Sequence, residues 1–162
     1  MMKIDFFDKK YNPTTTTEPL FYIADEQLEQ PAYVKNVKCD YSVAEVRNRE
    51  RKSVIFTAID KNVDIAPSQG RRCDGMITFD SAIFFIELKD QKEGWKTAAF
   101  EQLKNTIHIF SENHNVLDFG KKRAYACNIR HPRFQKFAHE DIAKFRKENY
   151  GFIPFSEATI TI

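Results

Sequence analysis

Two acidic side chains and a lysine mark the part of this sequence that could carry out chemistry. Asp74 precedes one apolar stretch, and Glu87 and Lys89 end the next one. Side chains alternate between the two faces of a β-strand, so Glu87 and Lys89 point to the same side. Charges at the end of an apolar strand are costly unless they meet partners, a metal ion or water.

The segments 72–79 and 82–89 predict a β-hairpin that turns at Asp80-Ser81. If Phe79 and Ala82 flank a symmetric turn, Asp74 lies opposite Glu87. Residues that face each other across two strands have Cβ atoms about 5 Å apart. Two carboxylates at that distance repel each other unless a positive charge lies between them.

A divalent cation would supply that charge. Mg²⁺ prefers oxygen ligands, takes one or two carboxylates and keeps water molecules for a phosphate substrate. Lys89, on the same face, would orient the attacking water or neutralise a phosphate oxygen. These groups together suit metal-assisted phosphodiester hydrolysis. The alternative is structural, with Glu87 in an ion pair at a strand edge and Asp74 at the surface.

The surrounding elements follow from the apolar periodicity. Residues 43–60 predict a helix with Glu50 as an anomalous carboxylate in its apolar stripe, although 54–57 is β-branched and could form a strand. A short strand is expected at 63–66. One mixed sheet with flanking helices follows, an α/β fold in a single domain of 162 residues. The remaining expected elements are a helix at 95–113, a strand at 122–130, a helix at 136–148 and a strand at 158–162.

The stretch from Asp74 to Lys89 resembles the PD-(D/E)XK nuclease superfamily. Asp74 is followed by twelve intervening residues and then by Glu87-Leu88-Lys89. The predicted order of elements is also similar to the restriction-endonuclease-like αβββαβ core, over roughly residues 43–130. Cys73 stands where the family pattern has a proline, at a position that varies among such proteins.

The resemblance implies roles for individual residues. Asp74 and Glu87 would bind Mg²⁺, or Mn²⁺ in its place, through their side chains, and Leu88 would bind it through its carbonyl. Lys89 would assist the attacking water. Many members add a helical glutamate, and Glu50-Arg51-Lys52-Ser53-Val54 is similar to a segment of archaeal Holliday-junction resolvases. Glu50 is therefore a candidate ligand, with Glu45 as the fallback. Gln102, in the helix after Lys89, is a further catalytic candidate, although an ordinary boundary position would also explain it.

The implied activity is metal-dependent hydrolysis of nucleic acid, with DNA as the expected substrate. Many related enzymes act as dimers, so a homodimer is an expectation for this chain. Two alternatives stay open: a non-catalytic nucleic-acid-binding or assembly module on the same fold, and a nuclease that acts on RNA. No recognisable 2′-hydroxyl-reading motif separates RNA from DNA.

Charge is distributed unevenly along the chain. Residues 1–33 carry six Asp and Glu against three Lys, and residues 1–40 predict a surface arm with an extended piece at 20–23. Residues 121–147, in contrast, carry nine Lys and Arg against two Asp and Glu. A local basic face can bind phosphates even at a net charge of +2. The C-terminal part, 131–162, is expected to add a helix and a strand to the core. The candidate nucleic-acid contacts are Arg71, Arg72, Arg130, His131, Arg133 and Lys136.

Composition excludes other classes. The content of 42% apolar and 30% charged residues is typical of an ordinary globular domain. Three cysteines without a Cys-x-x-Cys pair predict neither a zinc knuckle nor a disulfide framework, which favours a reducing, cytoplasmic location. The apolar runs are too short to span a bilayer, and the first residues do not resemble a signal peptide. Neither a nucleophilic-serine motif nor a glycine-rich phosphate loop is present.

Overall fold

The computed structural model describes residues 3–133 and 135–162, which form ten strands and two α-helices. The helices are α1 (Trp95–Asn113) and α2 (His139–Glu148). The strands are β1 (Thr14–Thr16), β2 (Leu20–Ala24), β3 (Tyr33–Lys35), β4 (Ser42–Arg47), β5 (Val54–Ala58), β6 (Gly75–Phe79), β7 (Ala82–Lys89), β8 (Lys121–Asn128), β9 (Ile153–Ser156) and β10 (Thr159–Thr161).

Two mixed sheets organise these strands. The larger sheet has the order β1-β5-β6-β7-β8-β9, in which β7, β8 and β9 run parallel and the other neighbours are antiparallel. The smaller sheet has the order β10-β4-β2-β3, with β10 parallel to β4. The expected α/β class is confirmed, and the second sheet is an addition that the sequence did not predict.

The larger sheet lies between two apolar layers. Helix α1 packs on one face, where Phe85 joins a core with Leu103 and Phe110. The smaller sheet covers the other face, where Phe84 and Ile86 join a core with Phe21. Strand β7 is therefore buried along its whole length, which explains its continuous apolar run.

The β6–β7 hairpin has the predicted register. Phe79 pairs with Ala82 and Gly75 pairs with Ile86, so the turn consists of Asp80 and Ser81. Asp80 has a φ of 46°, a conformation that aspartate tolerates better than most residues. Because the turn fixes the pairing, it also places Asp74 beside Glu87 at the far end of the hairpin.

Gly75 is required by the close approach of β5 to β6. A Cβ at this position would lie 2.5 Å from the Phe56 ring and 3.1 Å from the Thr57 carbonyl oxygen. We expect Gly75→Ala to lower the free energy of unfolding by about 1–3 kcal/mol, the usual cost of overpacking a core. Urea unfolding would measure the loss, and Gly120→Ala, whose Cβ meets nothing closer than 3.6 Å, is the matched control. Equal stability of the two variants would contradict the steric argument.

The predicted helix at 43–60 is wrong. Strands β4 and β5 occupy this region, and Asn48 closes the turn between them by bonding the backbone N–H and C=O of Lys52 at 3.0 and 2.8 Å. Val43, Val46 and Val54 are β-branched and lie in the core between the two sheets. The first helix of the expected αβββαβ core is therefore absent from the described residues.

Some of the other expected elements are present in the structure and others are not. The helix at 95–113 is confirmed, and so are a strand near 122–130, a helix near 136–148 and a strand near 158–162. Residues 63–66 do not form a strand. Residues 3–40 are not a surface arm: the extended piece exists as β2, but Phe6, Phe21 and Ile23 are fully buried. Residues 1 and 2 lie outside the described residues. Within residues 3–133 and 135–162, we find no helix with the length and apolar character needed to cross a membrane.

Candidate active site

The acidic pair lies where β6 begins and β7 ends. The Asp74 N–H donates to the Ile86 carbonyl at 3.1 Å while Gly75 pairs with the same residue, an arrangement typical of a β-bulge. The Asp74 carboxylate accepts the Leu88 N–H at 2.7 Å and so continues the ladder with a side chain. The bulge thereby turns Asp74 toward Glu87 and the end of β7.

Glu87 begins a chain of buried polar contacts. Its Oε2 lies 3.0 Å from Lys89 Nζ, and Lys89 Nζ donates to Gln102 Oε1 at 2.7 Å. Glu87 is 2% exposed, Lys89 6% and Gln102 8%. A buried ion pair adds little net stability against its cost of desolvation, which makes its presence here a feature to explain.

The second oxygen of Glu87 lacks a partner. When both acids are ionised, Glu87 Oε1 is buried and has no hydrogen-bond donor among the described residues. A buried acceptor without a partner costs about 1–3 kcal/mol. Because Asp74 lies within hydrogen-bonding range of Glu87, the free oxygen belongs to a pair of neighbouring carboxyl groups.

Both acids hold protons more tightly than usual. Burial, chiefly, raises the pKa of Asp74 to about 6, and the Asp25 and Asp60 charges add to the rise. Burial and then the Asp74 charge raise the pKa of Glu87 well above its ordinary value, against the opposing effect of Lys89. Without a cation, the two carboxyl groups therefore retain a proton where ordinary acids have lost theirs.

The raised pKa of Asp74 gives a prediction for stability. An unfolded Asp ionises near 3.8 and the folded one near 6, so the folded state binds the proton more tightly and loses relative stability as the pH rises through this window. Asp74→Asn removes the titrating group but keeps an oxygen for the Leu88 N–H. We expect this variant to gain stability relative to wild type from pH 4 to pH 7 in thermal unfolding without metal. A constant difference across that range would contradict the raised pKa.

The donor set matches a hard cation with few protein ligands. Within residues 3–133 and 135–162, no three or more His, Cys, Asp or Glu side chains are grouped as a metal site. Asp74 and Glu87 contribute carboxylate oxygens, and the Leu88 C=O points to the same side as the N–H bonded to Asp74. Two carboxylates, one carbonyl and water suit Mg²⁺, which does not need a cage made only of protein atoms.

Glu50 is not part of this site, which corrects the expectation. Its side chain is 80% exposed in the β4–β5 turn and lies 3.8 Å from Lys52, which also binds Asp80 at 2.9 Å. Asp80 is in the hairpin turn, at the opposite end of β6 and β7 from Glu87. The fallback, Glu45, belongs to the smaller sheet and pairs with Arg47 at 2.8 Å.

Gln102 is brought to the site by α1. Besides accepting from Lys89, it donates to the Arg72 carbonyl at 3.3 Å. Thr106, one turn later, accepts the Cys73 N–H at 2.7 Å and donates to the Gln102 carbonyl at 2.8 Å. Sequence reasoning missed Thr106, which ties the segment before Asp74 to the helix; its position four residues after Gln102 was the available signal.

Comparisons with known proteins do not assign the chain. It matches no family model, no curated protein and no solved structure. The interpretation of the site therefore depends on its own geometry.

The two arginines before Cys73 differ in their contacts. Arg72 donates to the carbonyls of Ile65 at 3.0 Å and Gly70 at 2.7 Å, so two of its guanidinium nitrogens are occupied by hydrogen bonds within the loop. Arg71 is exposed, and its backbone carbonyl accepts from Asn105. Arg71 is therefore the better placed of the two to contact a ligand.

The second basic segment follows β8. Because β7 and β8 are parallel and Lys89 pairs with Asn128, this segment leaves the sheet at the end of the strands where the acidic pair lies. Arg130 binds Asp90 at 2.7 Å, and His131 Nε2 lies 2.7 Å from the Lys92 carbonyl. Those two side chains are engaged within the protein. Arg133 and Lys136, farther along this segment, are exposed.

Proposed function

We propose that this protein is a Mg²⁺-dependent nuclease that hydrolyses phosphodiester bonds in DNA, with a PD-(D/E)XK-type site on a restriction-endonuclease-like fold. The observation that carries the proposal is the unpartnered, buried Glu87 Oε1 beside Asp74, on the face where Lys89 is held by Gln102. A structural ion pair with Lys89 needs only one carboxylate, whereas two neighbouring buried carboxyl groups are costly unless a proton or a cation lies between them. The element order β5-β6-β7-α1-β8 supports the fold assignment as far as the missing first helix allows.

Asp74 and Glu87 would hold the cation through their side chains once both have lost their protons, and the Leu88 carbonyl would be the third protein ligand. A divalent cation bound there would supply a lowered pKa for water and a positive charge against the phosphate. Lys89 donates hydrogen bonds to the attacking water or to a phosphate oxygen. Gln102 restricts the Lys89 ammonium to the position from which it can do so. The water oxygen bonds to phosphorus and its proton passes to solvent, while the bridging P–O bond breaks and the departing oxygen takes up a proton from solvent.

The exposed basic residues favour a polyanionic substrate. Arg71 lies beside Gln102, and Arg133 and Lys136 are exposed in the segment that follows β8. Lys and Arg that neutralise phosphates bind nucleic acid with an affinity that falls steeply with salt. We therefore expect substrate binding to weaken between 50 and 200 mM salt, as the counterion-release argument requires.

The test combines cleavage with direct metal binding. Single-stranded DNA, duplex DNA, a four-way DNA junction and single-stranded RNA are incubated with Mg²⁺ or Mn²⁺, with EDTA as the control. Calorimetry measures binding of the same ions to the protein alone. Metal-dependent cleavage of DNA supports the proposal, whereas exclusive cleavage of RNA replaces DNA by RNA as the substrate. Absence of both metal binding and cleavage, with DNA still bound, would leave a non-catalytic binding module.

A further inference from the structure

A depression of about 340 Å³ opens beside the Lys89–Gln102 contact. It is lined by Asp60, Pro67, Gly70, Arg71, Arg72 and Gln102. Gln102 joins it to the site, because the same side chain accepts from Lys89. Asp60 lies close enough to Asp74 for its charge to act on that carboxyl group. A substrate bound at the acidic pair would therefore have a neighbouring part within reach of the depression.

The wall of the depression is preformed. Asn105, one turn beyond Gln102, donates to the carbonyls of Gln69 at 2.9 Å and Arg71 at 2.6 Å. Gly70 has a φ of 93° and packs against the Asn105 amide, where a Cβ would come within 3.0 Å. The Arg72 guanidinium closes the same loop from the other side through the Gly70 carbonyl. A loop held in this way loses little entropy when it binds a ligand.

Two opposite charges in the depression are free to meet a ligand. Asp60 and Arg71 form no ion pair with each other or with any other residue in 3–133 and 135–162. Asp60 is an acceptor only, and Arg71 is a donor only. A phosphate, which only accepts, would satisfy Arg71 and be repelled by Asp60. A nucleobase edge, which both donates and accepts, satisfies both.

We propose that the depression receives a guanine next to the bond that is cut, with Asp60 and Arg71 as the residues that determine base preference. Guanine offers O6 and N7 to an arginine fork and N1–H and N2–H to a carboxylate. The four groups are accessible together only in an unpaired base, so the preference applies to single-stranded or unpaired substrate. This inference rests on the proposed nuclease function.

The cleavage test uses a random single-stranded DNA library and sequencing of the product ends. We expect wild type to favour guanine at one position beside the cut by about tenfold, in the range for one good bidentate contact. Asp60→Asn and Arg71→Lys should each reduce this preference to within about twofold, since Lys lacks the planar fork. Asp64→Asn is the control: Asp64 pairs with Lys10 at 3.3 Å and does not line the depression.

Binding separates failure of this inference from failure of the nuclease proposal. Without metal, fluorescence anisotropy compares an oligo-dT strand with a strand of alternating dT and dG. Tighter binding of the guanine strand that Asp60→Asn abolishes supports the inference even if no strand is ever cut. A uniform gain in binding or cleavage for Asp60→Asn at all four bases would overturn it, because Asp60 would then merely repel phosphate. The inference would also be overturned if wild type cut beside all four bases equally and bound the two strands with equal affinity.

Discussion

Glu87→Gln should abolish metal-dependent cleavage in a protein that still folds, with some loss of stability because the buried Lys89 loses its charged partner. The amide has the shape of the protonated carboxyl group, and the raised pKa of Glu87 indicates that the metal-free protein already accommodates that form. The amide cannot neutralise a cation, so both metal binding and cleavage should fall. Removing a residue that only hydrogen-bonds to a metal ligand lowers metal affinity or activity about 10- to 100-fold. Removing a ligand itself should therefore lower them by at least about 100-fold.

Single-turnover cleavage, calorimetric titration with Mg²⁺ and thermal unfolding together measure these effects. Glu50→Gln is the matched control, because Glu50 is exposed at the opposite end of the hairpin and should retain activity within about twofold of wild type, as distant surface changes usually do. If Glu87→Gln cut DNA as well as wild type, the site would not be catalytic. If Glu50→Gln were inactive instead, the placement of Glu50 would be wrong.

Lys89→Met should lower both activity and stability, and the stability loss should grow with pH. Methionine fills the volume of the lysine chain but leaves Glu87 and Asp74 without their buried cation. Removing one partner of a buried pair costs about 3–5 kcal/mol when the other stays charged. Glu87 can escape part of this cost by keeping its proton, which becomes harder as the pH rises. The loss should therefore be smaller at pH 5 than at pH 8.

Urea unfolding at the two pH values tests this result. Lys52→Met is the control, since Lys52 pairs with Asp80 at the surface and exposed pairs contribute about 0–1 kcal/mol. The double variant Lys89→Met with Glu87→Gln should recover most of the stability but none of the cleavage. A pH-independent loss in Lys89→Met, unchanged in the double variant, would mean that lysine packing rather than charge explains the effect.

The positions of Asp74 and Glu87 could be derived from local sequence because a hairpin is a local structure. A two-residue turn and the alternation of strand side chains set the register, and the register sets which residues are neighbours. Helix α1 could be predicted equally well, since its apolar residues repeat at helical spacing over 19 residues. The bulge at Asp74 could not be predicted, because it depends on how the Asp74 carboxylate meets the Leu88 N–H.

The region 43–60 shows where local reasoning stops. Its β-branched residues recur at spacings that suit a helix, and strand pairing with distant partners decides otherwise: β4 pairs with β2 and β10, and β5 pairs with β1 and β6. β-Propensity depends on such packing partners more than helix propensity does. Because the interpretation of Glu50 as a ligand depended on the helix, it was lost together with the helix.

By itself, then, the sequence determined a hairpin that places an acidic pair and a lysine on one face, followed by an amphipathic helix. Only the tertiary structure decided that Gln102 binds Lys89, that Glu87 keeps a free oxygen and that Asp60 shares a depression with Arg71. The reason is separation along the chain. Contacts across a tight turn follow from strand geometry, whereas contacts between elements follow from how whole layers pack around the shared core.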